Sequence, residues 1–113
     1  MKIEVRLLGI DPPADFVEQA ERRCHAALSR FAREVRAVSI RVVDVNGPRG
    51  GVDKDCQLVV ETRRFGTTAT SAVHHDLYAA VAQSLERAGR TLGATIERAR
   101  ARRRQARQPT RAS

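Results

Sequence analysis

A stripe of apolar residues in the C-terminal half places the strongest constraint on how this 113-residue chain can fold. Within residues 74–104, apolar side chains recur every three or four positions, which is the period of one side of an α-helix. The stripe consists of Leu77, Val81, Leu85, Ala88, Leu92 and Ile96. Asp76, just before it, is a residue type that caps helix N-termini. The pattern predicts a long core helix that begins near Asp76.

The opposite side of this predicted helix is basic. At about 100° per residue, that side comprises Gln83, Arg87, Arg90, Ala94 and Arg98. The face could be an ordinary solvated surface or a contact surface for an anionic partner, and the stripe alone leaves both interpretations open. After Ala99 the periodicity ends, because arginines then occur at every angle around the helix.

The rest of the chain predicts one further helix and four strands. Alternating or β-branched residues mark the four segments predicted as strands, which are residues 2–8, 37–45, 56–62 and 67–72. The first helix is predicted over residues 14–35. Its apolar stripe is Phe16, Ala20, Cys24, Ala27 and Phe31. A glycine-rich loop is predicted over residues 46–53.

The resulting order, β-α-β-β-β-α, predicts an α+β architecture. A crossover through a helix makes strands one and two parallel, and the short later connections make strands two, three and four an antiparallel meander. The fourth strand is rich in Thr and short of bulky side chains, which suits a sheet edge. We therefore expect a four-stranded mixed sheet with both helices packed side by side on one face.

Positive charge is concentrated at the C-terminus. The net charge is +8, and seven of the 21 basic residues lie in the last sixteen positions, where no acidic residue occurs. The preceding 97 residues hold 14 basic and 13 acidic residues. We predict a folded domain over residues 1–99 and an arginine-rich, disordered tail over residues 100–113. The tail suits nucleic acid better than a membrane, because it lacks bulky apolar residues.

The sequence also argues against export and against a membrane span. No apolar run approaches the roughly 20 residues that a span requires. The first ten residues alternate instead of forming a signal peptide, so a cytoplasmic location is predicted. In that compartment, Cys24 and Cys56 are expected to be buried thiols rather than a disulfide.

Signals for catalysis are weak. The glycines match neither common phosphate-binding motif. His74, His75 and Asp76 suggest a metal or acid–base site, but adjacent residues of a strand point to opposite faces, which favours a plain strand-to-helix junction. Cys24 and His25 would point apart on a helix. We predict no enzyme activity, no catalytic residue, no metal, no cofactor and no small-molecule substrate, and we keep an enzyme at this junction as the least favoured hypothesis.

The arginines instead predict binding to structured RNA. Arginines without interleaved exposed aromatics suit the phosphate backbone better than stacking on bases. In the first helix, Arg22, Arg23, Arg30 and Arg33 lean to one flank. If the two helices lie side by side, these residues join the basic face of the second helix. The predicted RNA-binding residues are Arg22, Arg30, Arg33, Arg87, Arg90 and Arg98.

The start of the second helix resembles a known family. The run Ala69-Thr70-Ser71-Ala72, followed by Asp76-Leu77-Tyr78-Ala79-Ala80-Val81, is similar to the strand-to-helix junction of the bacterial ribosome hibernation-promoting factors and ribosome-associated inhibitors, the sigma-54 modulation family in its short form. Basic residues at Arg87 and Arg90 and a leucine at Leu92 fit as well. The resemblance covers about residues 1–97.

This resemblance implies a cytoplasmic protein that is not an enzyme. It would bind the 16S rRNA of the small ribosomal subunit, block the channel of messenger and transfer RNA, and silence translation in stationary phase or stress. It also implies a fold like the double-stranded-RNA-binding domain. Tyr78 could pack at the helix junction or touch RNA, and packing is the favoured role.

Three features depart from the family pattern. Gly89 and Gly93 lie inside the second helix, arginine replaces lysine almost throughout, and the arginine tail is unusual. An alternative function stays open, namely a regulatory module of the same fold that docks an acidic partner protein through its tail. A weak homodimer and either effect on ribosome pairing also stay open.

Overall fold

The computed structural model describes residues 1–45 and 53–107, so residues 46–52 of the predicted loop and residues 108–113 of the predicted tail lie outside the described part. The elements are β1 (Lys2–Leu8), α1 (Phe16–Ala27), a 3-10 turn (Ser29–Phe31), β2 (Val35–Asp44), β3 (Lys54–Thr62), β4 (Thr67–His74) and α2 (Leu77–Arg107). The predicted β-α-β-β-β-α order is confirmed.

The four strands form one mixed sheet in the order β1-β2-β3-β4. β1 pairs in parallel with β2, and the pairs β2–β3 and β3–β4 are antiparallel. β4 lies at an edge, as its Thr-rich sequence predicted. The sheet topology predicted from the sequence is therefore confirmed. The prediction succeeded because short connections join antiparallel strands, whereas parallel strands need a long crossover.

The core lies between one face of the sheet and both helices. Val38, Ile40 and Val42 of β2 point to this face, as do the alternate residues of β3; all of them are buried beneath the helices. Their neighbours on the strands point to the other face, where Arg6 and Arg41 are exposed side by side. The alternation of strand side chains thus separates a packed face from an open face. The expected α+β layer arrangement is confirmed.

α1 is shorter than predicted. The prediction extended it to residue 35, but the helix ends at Ala27, and a 3-10 turn leads into β2. Val35 pairs with Thr62 of β3, and the carbonyl of Glu34 accepts a hydrogen bond from the backbone N–H of Arg63 at 2.8 Å. In the sheet, this segment gains backbone hydrogen bonds to β3 that it could not form as part of a longer helix. Val35 is also β-branched, a residue type that favours strands.

α2 is longer than predicted, since it continues without a break to Arg107. Residues 100–107 are therefore helical rather than disordered. They contain only Ala, Arg and Gln, which are good helix formers, and the next proline is Pro109. The division of the chain into a domain over residues 1–99 and a separate tail stays a prediction.

Candidate nucleic-acid interface

Asp76 lies immediately before α2 and caps its first turn, as its residue type predicted. Its Oδ1 accepts a hydrogen bond from the backbone N–H of Tyr78 at 3.1 Å, and its carbonyl accepts one from Ala80 at 3.0 Å. The ring Nδ1 of His74 accepts a hydrogen bond from the backbone N–H of Asp76 at 2.9 Å. The His74–Asp76 segment thus uses its side chains to form the start of the helix.

Tyr78 joins the first turns of the two helices. Its hydroxyl donates to Asp15 Oδ1 at 3.1 Å, and its ring meets Phe16 edge-on at 5.5 Å between centroids. Hydrogen bonds from Gln19 and then Tyr78 lower the pKa of Asp15. Burial, followed by the hydrogen bond to Asp15, raises the pKa of Tyr78. The favoured packing role of Tyr78 agrees with these contacts.

Two glycines of α2 face the α1 side of the molecule. A Cβ placed at Gly89 would stand 3.5 Å from the carbonyl oxygen of Ala27, and one at Gly93 would stand 3.4 Å from the Phe31 ring. The glycines lie four residues apart and therefore on one side of the helix. Both glycines lower the helix propensity of α2, and both lie where α2 packs against the end of α1 and the 3-10 turn.

An open groove, which we call the helix groove, runs between the two helices on the side away from the sheet. Its volume is about 450 Å³. Ala27, Leu85 and Gly89 lie at its floor. Its exposed rim consists of Arg23, Arg30, Glu86 and Arg90. Three guanidinium groups and one carboxylate therefore surround a floor of small and aliphatic side chains. The excess of positive charge at the rim suits a polyanionic ligand.

Three of the six arginines predicted to bind RNA share a pocket with another of the six, since Arg30 lines one pocket with Arg90 and another with Arg33. Arg30 and Arg90 share the helix groove. Arg22 instead forms an ion pair with Glu18 at 2.7 Å, and the Arg87 guanidinium donates to the backbone carbonyl of Ser71 in β4. Both stay exposed, although neither lines the groove.

The other two lie nearer to the far end of α2. Arg33 lines a separate pocket together with Arg64 and Arg100, and Arg98 is exposed on α2 itself. Arg30 lines both this pocket and the helix groove, so the two adjoin. The role of all six residues in RNA binding stays a prediction.

Arg23 is a groove residue that the sequence-based site omitted. It precedes Arg30 by seven residues, which is two turns of the helix predicted over residues 14–35, although Arg30 lies in the 3-10 turn that follows α1. Arg22 is four residues from Glu18 and is held by it. Helical spacing combined with the nearest acidic partner would have favoured Arg23 over Arg22.

Solved structures share this fold. No protein-family model and no curated protein sequence matches the chain. A ribosomal subunit interface protein from Coxiella burnetii superposes with a TM-score of 0.71 at 18% sequence identity, covering 86% of this chain and 99% of that one. The N-terminal domain of Protein Y from Thermus thermophilus gives a TM-score of 0.65 at 14% identity, with 80% and 94% coverage.

This chain has the fold of those two proteins. The matches span nearly the whole of the two solved structures and at least 80% of this chain, so the agreement concerns the complete β-α-β-β-β-α arrangement. The fold implied by the resemblance at the start of α2 is therefore the fold observed. At these identities the comparison establishes the fold alone.

Two further findings concern the chemistry of the described residues. Over residues 1–45 and 53–107, no three or more His, Cys, Asp or Glu side chains are grouped so as to hold a metal ion. Within the same ranges no helix is both long enough and apolar enough to cross a bilayer; α2 has the length, but arginines interrupt it.

Proposed function

We propose that this protein belongs to the ribosome hibernation-promoting factor family and silences translation by binding the small ribosomal subunit. It would contact 16S rRNA, occupy the channel of messenger and transfer RNA, and act in the cytoplasm during stationary phase or stress. The observation that carries the proposal is the basic helix groove on a fold shared with a ribosomal subunit interface protein. The helix-start motif at residues 76–81 supports it.

The chemistry of the groove favours RNA phosphate as the direct contact. Arg23, Arg30 and Arg90 can donate several N–H groups each, and guanidinium matches the geometry of phosphate oxygens. Arg30 also lies over the Phe31 ring at 4.7 Å, which restricts its side chain before RNA arrives. Bases have no exposed aromatic partner in this groove, so we propose recognition of RNA shape and backbone.

Sedimentation of stationary-phase extract through a low-salt sucrose gradient tests subunit binding. We expect the protein to migrate with the small subunit. The variant Arg30→Glu/Arg90→Glu should remain at the top of the gradient, while Arg6→Glu/Arg41→Glu, which makes the same change in charge on the open face of the sheet, should still migrate with the subunit. Wild-type protein found only at the top would reject the proposal.

A competition experiment tests occupation of the channel. Small subunits loaded with messenger RNA and transfer RNA should bind the protein more weakly than empty subunits do. Equal affinity for loaded and empty subunits would leave subunit binding intact and reject the channel mechanism.

A further inference from the structure

A second cluster of arginines lies where the far end of α2 meets the turn between β3 and β4. We call it the arginine junction. It comprises Arg33, Arg64, Arg100 and Arg103, with Arg30 at its boundary to the helix groove. A pocket of about 480 Å³ opens among Arg30, Arg33, Arg64 and Arg100, and a smaller one of about 120 Å³ lies between Arg64 and Arg103. Glu34 is the acidic residue that lines the larger pocket.

The turn between β3 and β4 holds Arg64 in place. Gly66 adopts a φ of +73°, which glycine accepts without strain, and Thr62 Oγ1 donates to its carbonyl at 2.6 Å. The same Oγ1 accepts a hydrogen bond from the Phe65 N–H at 2.9 Å. The turn is therefore tight, and it directs Arg64 toward the 3-10 turn and α2.

Glu34 and Phe65 orient the Arg64 guanidinium. Its Nε donates to Glu34 Oε2 at 3.2 Å and its Nη2 to Glu34 Oε1 at 2.5 Å, while its Cζ lies 5.3 Å from the centre of the Phe65 ring. A guanidinium has five N–H donors, so three remain for a ligand. The hydrogen bond from Arg64, followed by the charges of Arg64 and Arg100, lowers the pKa of Glu34.

The junction keeps a large excess of positive charge. Five arginines and one carboxylate line the two pockets, and Glu34 neutralises at most one of the five. From there α2 continues as an exposed helix, since Ile96 is its last buried residue. Residues 97–107 extend for about 16 Å at 1.5 Å per residue. Glu97 is the last acidic residue in the sequence. Its Oε1 lies 3.9 Å from Nη2 of Arg104.

We propose that the arginine junction is a second binding site for RNA phosphate, distinct from the helix groove, and that the exposed end of α2 extends it along the RNA backbone. RNA fits better than an acidic protein because protein interfaces need an apolar centre. Residues 98–107 offer nothing more apolar than Ala, and arginines already lie over the rings of Phe31 and Phe65. The inference deepens the proposed function and rests on it for the identity of the RNA.

The test compares two double variants of equal charge change. Arg100→Gln/Arg103→Gln alters the junction and leaves the Glu34–Arg64 pair intact, whereas Arg6→Gln/Arg41→Gln alters the open face of the sheet. Thermal unfolding first establishes that both variants are folded. Affinity for purified small subunits and for a labelled RNA hairpin is then measured between 50 and 200 mM salt.

Each lost phosphate contact makes the logarithmic salt dependence shallower by about 0.9. For two lost contacts, the ratio of affinities at the two salt concentrations should shrink by about twelvefold in the junction variant. The open-face variant should keep nearly the wild-type ratio. An unchanged ratio in the junction variant, with wild-type protein bound to subunits, would overturn the second site and leave the proposed function standing.

The hairpin separates the two proposals in the other direction. If wild-type protein binds the hairpin but not small subunits, and the junction variant loses salt dependence on the hairpin, the second site holds and the proposed function fails. Polyglutamate serves as an acidic-protein competitor. It should displace the hairpin poorly, and displacement as efficient as that by unlabelled hairpin would overturn the assignment of the junction to RNA.

Discussion

The two cysteines are neutral thiols inside the core. Both side chains are fully buried, and burial raises the pKa of Cys24 to about 12 and also raises that of Cys56. The thiolate is the reactive form, so neither residue has the environment of a nucleophile. The interpretation of both as buried thiols is confirmed.

Thiol labelling checks this assignment. In native protein at pH 8, we expect neither cysteine to react with an alkylating reagent within the time that free cysteine reacts completely. In denaturant both should react. Rapid labelling of one residue in the native state would show that it is exposed or activated.

Glu34 makes stability depend on pH in the acidic range. Its pKa is lower than the ordinary 4.5, chiefly because Arg64 donates hydrogen bonds to the carboxylate. A carboxyl group with a lowered pKa in the folded state stabilises that state above its unfolded pKa. The contribution is lost as pH falls through the folded value.

We therefore expect Glu34→Gln to lower the free energy of unfolding at pH 7 and to make little difference at strongly acidic pH. Urea unfolding of both proteins at several pH values measures this difference. Glu4→Gln, an exposed change on the open sheet face, controls for the general effect of losing a negative charge. A deficit that persists undiminished in acid would mean that packing, rather than the ion pair, is responsible.

In α2, Gly89 offers a test of how tightly the helices pack. An added Cβ would make ordinary van der Waals contact with the Ala27 carbonyl, at 3.5 Å. Alanine is favoured over glycine inside a helix by about 0.5–1 kcal/mol. We expect Gly89→Ala to raise the free energy of unfolding by about that amount, as measured by urea titration.

Gly66→Ala is the contrasting variant in the turn between β3 and β4. Its Cβ would meet no atom within 4 Å, but the φ of +73° disfavours any side chain. It should therefore destabilise by about 1 kcal/mol through backbone strain alone. A destabilising effect of Gly89→Ala would contradict the expectation that a methyl group fits beside the Ala27 carbonyl.

The helices also show where sequence-based prediction ends. The apolar period predicted α2 and its cap at Asp76, because both depend on residues close together in the chain. The predicted end of α1 was wrong, since Val35, predicted as the last residue of the helix, pairs with Thr62 of β3 instead. A local pattern cannot weigh a partner that only the folded sheet supplies.

Across the molecule, the core is complete before α2 ends. Ile96 is the last buried residue of the helix, and residues 102–107 are exposed. Removing residues 100–113 should therefore leave a domain that unfolds cooperatively, with a midpoint within a few degrees of the full chain. Circular dichroism during heating measures it. Loss of a cooperative transition would move the predicted boundary at residue 99 toward the C-terminus.

The sequence by itself determined the order of elements, the pairing of strands and the separation of an apolar face from an open one. These properties follow from periods of two and 3.6 residues and from connection lengths, which are local. It also showed that arginines dominate the outer helical surfaces.

Only the tertiary structure decided which arginines meet. Spacing in the sequence favours Arg23 over Arg22, but the meeting of Arg23 with Arg90 in the helix groove depends on how α1 packs against α2. Arg33, Arg64 and Arg100 belong to three separate elements, yet they line one pocket. Their proximity depends on where the turn between β3 and β4 lies relative to both helices, and no period or spacing within one segment carries that information.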